Sequence, residues 1–230
     1  MSNESVLVAG VGPGLGIAVA ARFAKEGYRV AMLARSRDRL AELAKQDPER
    51  LVPVGCDVTD PRQVDAAFDE CERKLGPLAC AVFNAGAYRP GSIIDIQPED
   101  FERCWRVGAF AGFLVGQAAA RRMVKRGSGT ILFTGATASL RGGANFANLA
   151  SPKFALRAVA QSMARELGSR GIHVAHIVID GQIGDEDAAG KPPDNRLRTE
   201  AIAQAYLDLH RQQRSAWSQE IDLRPWVERF

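Results

Sequence analysis

No apolar run in the sequence reaches the ~18 residues that a membrane-spanning helix requires. No basic stretch leads into a long apolar one at the N-terminus, so a secretory leader is not expected. The four cysteines, Cys56, Cys71, Cys80 and Cys104, form no C-x-x-C pair, and only three histidines accompany them. That pattern argues against a metal site, and the thiols read as reduced core residues of a cytoplasmic protein. Nor does one sign of charge dominate. Thirty Lys and Arg oppose 27 Asp and Glu, the net charge is +3, and no block of like charge exceeds a few residues. Neither a nucleic-acid footprint nor a membrane-binding face is expected. There is no internal repeat. What remains is an ordinary composition, 46% hydrophobic and 25% charged, with 22 Gly and 11 Pro over 230 residues. A chain of that length buries roughly 70–75% of its unfolded surface and needs no covalent staple.

Short runs rich in Val, Ile and Leu alternate with longer segments of helical period. The runs are Val6–Ala9, Arg29–Ala34, Leu51–Gly55, Leu78–Phe83, Thr130–Thr134 and His173–Ile179. Between them lie Leu15–Glu26, Arg37–Lys45, Pro61–Leu75, Pro98–Arg126 and Pro152–Ser169. Runs that are continuously apolar, rather than alternating, predict strands covered on both faces. The alternation predicts βαβ units, an α/β class and a parallel sheet. Gly27, Gly76, Gly127 and Gly171 each follow a helical segment, where a C-terminal cap sits. Residues 181–195, with four acidic residues, three Gly and two Pro, read as a mobile loop, and Arg196–Arg214 as a polar helix. Trp217–Leu223 alternates as an edge strand does. Without a linker between two cores, residues 1–230 read as a single domain with a substrate loop at 181–195 and a tail at 215–230.

The strongest local signal is the glycine-rich turn between the first strand and the first helix: Gly10, Gly12, Pro13, Gly14, Leu15 and Gly16. Such a turn lets backbone approach a pyrophosphate, while the helix N-terminus supplies N–H donors and a positive dipole end. Its spacing is G-x-x-x-G-x-G rather than G-x-G-x-x-G. With Asp57-Val58 after the third strand, Asn84-Ala85-Gly86 after the fourth, Lys153 at the head of the sixth helix and Asp180-Gly181-Gln182-Ile183 closing the sixth strand, the chain resembles the short-chain dehydrogenase/reductase family. The resemblance implies a Rossmann-like, doubly wound sheet of about seven strands. It implies that Asp57 and Val58 meet the adenine, that Asn84, Ala85 and Gly86 lie beside the adenosine ribose, and that Ile183 joins the cofactor site. At the end of the second strand Ala34 stands where a carboxylate would favour NAD, and Arg35 follows it. A guanidinium there suits a 2′-phosphate, so NADP is the expected cofactor.

The resemblance also implies a catalytic set of Asn, Ser, Tyr and Lys. The Tyr would give a proton to a carbonyl oxygen, the Lys would lower the Tyr pKa and hold the nicotinamide ribose, and the Asn would anchor a water leading out through the Lys. Only Lys153 matches. Four residues before it stands Leu149, the longer Tyr-x6-Lys spacing reaches Phe146, the Ser position falls on Ala136, and the Asn position on Gly108. Loop slippage would bring Thr134, Thr137 or Ser139 to the Ser position. Tyr88 is the best-placed substitute phenol, with Ser139 and Ser151 behind it. Three readings follow: an NADP-dependent oxidoreductase with another proton donor, a hydride transfer needing no such donor, or an NADP-binding protein without turnover that senses cofactor or binds a partner. Losing a general acid costs typically ~10²–10⁴ in rate, which slows hydride transfer without forbidding it. Lys153, Tyr88 and Ser139 are the catalytic candidates.

A small-molecule substrate should bind at the carboxyl ends of the strands, among residues 87–90, 140–148 and 181–195. Leu149 and Phe146 make the reacting end apolar, and Trp217 and Arg224-Pro225-Trp226 are candidates to cover it. Phe101 and Trp105, four apart, read as a core stripe, and His173 and His176 as structural. The resemblance implies a homodimer or homotetramer built on the fifth and sixth helices.

Overall fold

The unbroken apolar runs become parallel strands. The computed structural model describes residues 4–186, 190 and 194–228. In it β1 (Ser5–Ala9), β2 (Arg29–Ala34), β3 (Leu51–Gly55), β4 (Leu78–Phe83), β5 (Gly129–Thr134) and β6 (Ile172–Ile179) share one sheet. Two-residue strands β7 (Gln182–Ile183) and β8 (Arg196–Leu197) pair with each other, and β9 (Glu220–Leu223) joins β6. The large sheet runs β3-β2-β1-β4-β5-β6-β9, every neighbouring pair parallel. Strands β4 and β6 are buried at every position, as expected of strands with helices on both faces.

The helices are α1 (Leu15–Lys25), α2 (Arg37–Ala44), α3 (Pro61–Leu75), α4 (Pro98–Trp105), α5 (Ala111–Met123), α6 (Ala147–Leu167) and α7 (Thr199–His210). Helices α1, α2 and α7 pack Phe23, Leu40 and Leu207 with Val8 and Val82 on one face. On the other, α3, α5 and α6 pack Phe68, Val115 and Leu156 with Leu7 and Phe133. Strand order reverses between β1 and β4, so the loops leaving their carboxyl ends diverge and open a crevice. All four cysteines are buried and free. Among the described residues no helix is long and apolar enough to cross a membrane.

Four expectations are corrected. The segment Pro98–Arg126 is not one regular helix, because a π-helical turn, Arg106–Phe110, separates α4 from α5. Helix α6 begins at Ala147, so Pro152 sits inside it. A proline there removes one backbone bond, and its ring lies against the bare Cα of Gly108. Arg196 and Leu197 pair with β7, and the following helix is amphipathic, burying Ile202, Ala203, Tyr206, Leu207 and Leu209. Phe101 and Trp105 are 36% and 39% exposed, so they form a surface strip rather than a core stripe; Trp105 stacks on Phe110, and Phe110 on Phe113. Of the expected substrate loop, residues 187–189 and 191–193 lie outside the described residues.

Candidate active site

The glycines of the β1–α1 turn divide into two kinds. Gly10 has φ +93°, and a Cβ there would stand 2.4 Å from the Ala85 nitrogen. A Cβ on Gly16 would stand 2.6 Å from the Gly10 oxygen. The chain's own packing therefore demands both. Gly12 and Gly14 meet nothing within 4 Å, so their bare faces look onto open space. Gly14 stands at the N-cap of α1, and no side chain caps that helix end. Asn84 steadies the turn from β4: its backbone N–H donates to Ala9 O at 2.8 Å and its Nδ2 to Gly10 O at 3.0 Å.

This turn forms one wall of a cleft of about 650 Å³ at the crevice, with Ala34, Arg35, Asp57, Val58 and Asn84 through Ala87 lining it. Arg35 is exposed at the rim and forms no ion pair among the described residues. The Asp57 carboxylate accepts from the Thr59 backbone N–H at 2.9 Å and its hydroxyl at 2.8 Å, which fixes the segment after β3. Open glycines, an uncapped helix N-terminus and a free guanidinium together fit a phosphorylated dinucleotide. Pro13 is exposed beside this turn, whereas Leu15 is buried in the core and Ile183 is exposed on β7, outside the lining of this cleft.

Lys153 is the seventh residue of α6, a full turn beyond the helix head where the sequence placed it. It is 7% exposed, and its Nζ donates to Thr134 O at 2.6 Å. Burial pushes its pKa down to about 8. The Thr134 hydroxyl donates to Asn84 Oδ1 at 3.1 Å and takes the Tyr206 hydroxyl at 2.7 Å. Tyr206 is fully buried, and burial raises its pKa, so it remains a phenol. A hydrogen-bonded chain thus links the cleft wall at Asn84 to Lys153, with Tyr206 supporting it from α7. The sequence offered no sign of Tyr206, whose helix read as polar.

A second cleft, about 370 Å³, opens on the other side, lined by Ala136, Thr137, Arg141, Phe146, Leu149 and Ile179 among others. The positions expected to carry Ser and Tyr, Ala136 and Leu149, both line it, and neither bears a hydroxyl. The Thr137 hydroxyl donates to Asp180 Oδ1 at 2.5 Å. Ser139 is corrected as a candidate: it has no exposed surface, and its Oγ accepts the Ala136 N–H at 3.1 Å, closing a 3₁₀ turn. Of the three tyrosines, Tyr28 bonds His210 at 3.2 Å and Tyr206 is buried, leaving Tyr88 with 45% exposure. Its ring stacks on Phe146, 5.3 Å between centroids and 22° between planes. The loop carrying it is tied to α6 by Asn148 Nδ2 donating to Arg89 O at 2.8 Å. Trp217 does not cover this cleft, because it stacks on His173 near the start of β6, at the far end of the strand. Pro225 rests on Gly181, which lines this cleft, while Trp226 is exposed to solvent. Among the described residues no three His, Cys, Asp or Glu side chains converge as metal ligands do.

A family model described as short chain dehydrogenase matches residues 4–182. The 3-oxoacyl-[acyl-carrier-protein] reductase MabA of Mycobacterium avium is 36% identical over 200 residues, covering 87% of this chain and 74% of that one. The L-2,3-butanediol dehydrogenase of Corynebacterium glutamicum is 30% identical over 188 residues, 79% of this chain and 72% of that one. Among solved structures, a short-chain dehydrogenase from Rhodopseudomonas palustris superposes with a TM-score of 0.87 at 38% identity, covering 98% of this chain and all of that one.

Proposed function

The chain belongs to the short-chain dehydrogenase family, and from that premise we propose an NADP(H)-dependent oxidoreductase that reduces a small apolar carbonyl, enone or imine with a proton donor other than the family's usual tyrosine. The observation that carries this reading is the hydrogen-bonded chain Asn84–Thr134–Lys153, which joins an open dinucleotide cradle to a buried amine. A protein that had lost its chemistry would have no evident use for an amine held at such cost in desolvation.

Gly12, Gly14 and the α1 N-terminus would hold the pyrophosphate, Asp57 and Val58 would flank the adenine, Asn84, Ala85 and Gly86 would lie beside its ribose, and Arg35 would take the 2′-phosphate. Lys153 would hold the nicotinamide ribose. When bound, the cofactor supplies the hydride. The apolar walls at Phe146 and Leu149 exclude water from the reacting end and select an apolar substrate body. Tyr88, its ring held by Phe146, is the proposed proton donor. Buried free thiols suit a cytoplasmic setting. The exposed strip of Phe101, Trp105, Phe113 and Phe154 offers a second copy an apolar face, supporting a homodimer or homotetramer.

Titration of tryptophan fluorescence with NADPH, followed by NADPH absorbance across aldehydes, ketones, enones and imines, tests the reading. Quenching together with turnover that falls in Tyr88→Phe and persists in Ser151→Ala supports it. No quench and no thermal shift overturns it; tight binding with no turnover anywhere in the panel assigns a cofactor sensor instead.

A further inference from the structure

His176 is 1% exposed on β6, on the same strand face as Val174, which packs among Leu156 and Ala160 of α6. Its Nδ1 stands 2.9 Å from Glu220 Oε2 on β9. Arg157 and His176 hold the Glu220 pKa down, so Glu220 is a carboxylate and only accepts. Nδ1 therefore carries the proton, and Nε2 is a bare acceptor. That Nε2 is buried and has no hydrogen-bond partner among the described residues, a state few buried polar atoms tolerate. It lies against Gly135, where a Cβ would stand 2.4 Å from it.

The carbonyl of the Thr134–Gly135 peptide is the one that takes the Lys153 ammonium at 2.6 Å. An amine with three donors and an imidazole with an unused acceptor thus close on a single peptide. Arg157 stands four residues after Lys153 on the same face of α6. Its Nε and Nη2 hold the two Glu220 oxygens at 2.7 and 2.6 Å. The Glu220 side chain keeps 27% exposure, so the cluster reaches solvent there. The route that the family resemblance implies, through an Asn at position 108, lacks its Asn: Gly108 carries no side chain, and Pro152 lies where a Cβ there would stand.

We propose that a buried water joins His176 Nε2 to Lys153 Nζ and that His176, with Glu220, is the proton outlet of Lys153 to the β9 edge. A proton leaves Lys153 Nζ through that water for His176 Nε2, leaving a neutral amine. The Nδ1 proton passes to a Glu220 oxygen and from there to water, and the reverse flow reloads Lys153. No electrons change hands. The purpose of the outlet rests on the oxidoreductase reading, but its geometry does not. The charged groups facing His176 are Glu220 from β9 and Lys153 and Arg157 from α6. Burial pushes the His176 pKa down, Glu220 pushes it up, and the two cations push it down again. The imidazole is therefore neutral at rest and free to accept a proton.

The test is NMR of ¹⁵Nζ-labelled lysine in the free, full-length protein, where no cofactor or substrate is needed. Lys153 should titrate near pH 8. In His176→Phe its midpoint should fall by about one pH unit or more, the cost of losing a water-bridged hydrogen bond to a buried charge. His176→Gln, whose amide oxygen accepts, should restore the midpoint. Glu220→Gln should leave the midpoint near its starting value but slow exchange of the Lys153 Nζ protons with water by at least ~10-fold, because a neutral amide cannot accept the Nδ1 proton. An unchanged midpoint in folded His176→Phe overturns the water-bridged link, and unchanged exchange in Glu220→Gln overturns the outlet. Should His176→Phe fail to fold, Glu220→Gln decides alone. Absence of NADPH turnover in the wild type would strike the oxidoreductase reading and leave both NMR results to stand on their own.

Discussion

Gly108 and Pro152 share one space: a Cβ on Gly108 would stand 2.8 Å from the Pro152 Cβ and 3.3 Å from its Cγ. The π-helical turn before α5 and the second turn of α6 therefore fit only while position 108 has no side chain. Gly108→Asn should destabilise the fold by about 1–3 kcal/mol in urea unfolding, the usual cost of overpacking. Combined with Pro152→Ala, which removes the ring and frees the backbone to shift, the loss should be smaller than the sum of the single changes. Additivity would show that the two sites do not compete.

The two kinds of glycine in the β1–α1 turn should separate under mutation. Gly12→Val meets open space in the protein, so it should leave the melting temperature unchanged while abolishing NADPH binding. Gly16→Ala drives a methyl to 2.6 Å from Gly10 O and should lower stability by about 1–3 kcal/mol. Calorimetry with and without cofactor distinguishes them.

Arg35→Glu should reverse cofactor preference. Losing a charged hydrogen bond to phosphate costs about 1.5–3 kcal/mol, so NADPH affinity should fall roughly 10- to 100-fold while NADH affinity rises. Fluorescence titration with each cofactor gives the ratio, and an unchanged ratio would remove Arg35 from the site.

Lys153 makes stability depend on pH in a defined direction. Its folded pKa of about 8 lies below the ordinary 10.5, so between those values the unfolded chain binds more protons and stability rises with pH. Below pH 8 the desolvation penalty is present in full. Lys153→Met should therefore be more stable than the parent at pH 7, by up to about 3 kcal/mol. The advantage should vanish as pH climbs from 8 toward 10.5. Urea unfolding at pH 7, 9 and 10.5 measures the difference.

Leu149→Tyr places a phenol four residues before Lys153 on the wall of the second cleft. Carbonyl reduction should rise at least ~10-fold, toward the ~10²–10⁴ that a fully positioned general acid contributes. NADPH absorbance kinetics gives the answer, and no gain would mean that Lys153 cannot serve a phenol from there.

Much of the fold could be read from residue order because buried parallel strands leave unbroken apolar runs: β2, β3 and β4 begin and end where Arg29–Ala34, Leu51–Gly55 and Leu78–Phe83 said they would. Helix ends were harder. Pro152 reads as a first-turn residue, yet five residues before it are already helical. The π turn at Arg106–Phe110 leaves no periodic mark, since the chain stays helical and only its hydrogen bonds reach one residue further, i→i+5. In the candidate site, the glycines and Lys153 could be proposed from local motifs. Tyr206 and Glu220 did not, because their partners Thr134 and His176 lie 72 and 44 positions away and meet them only across the completed sheet.

The contact of Gly10 with Ala85 sets an order of events during synthesis. The glycine-rich turn is made first, yet one of its walls is the backbone after β4, some 75 residues downstream. A ribosome-bound chain shorter than about residue 86 therefore carries the glycine sequence without the wall that shapes it.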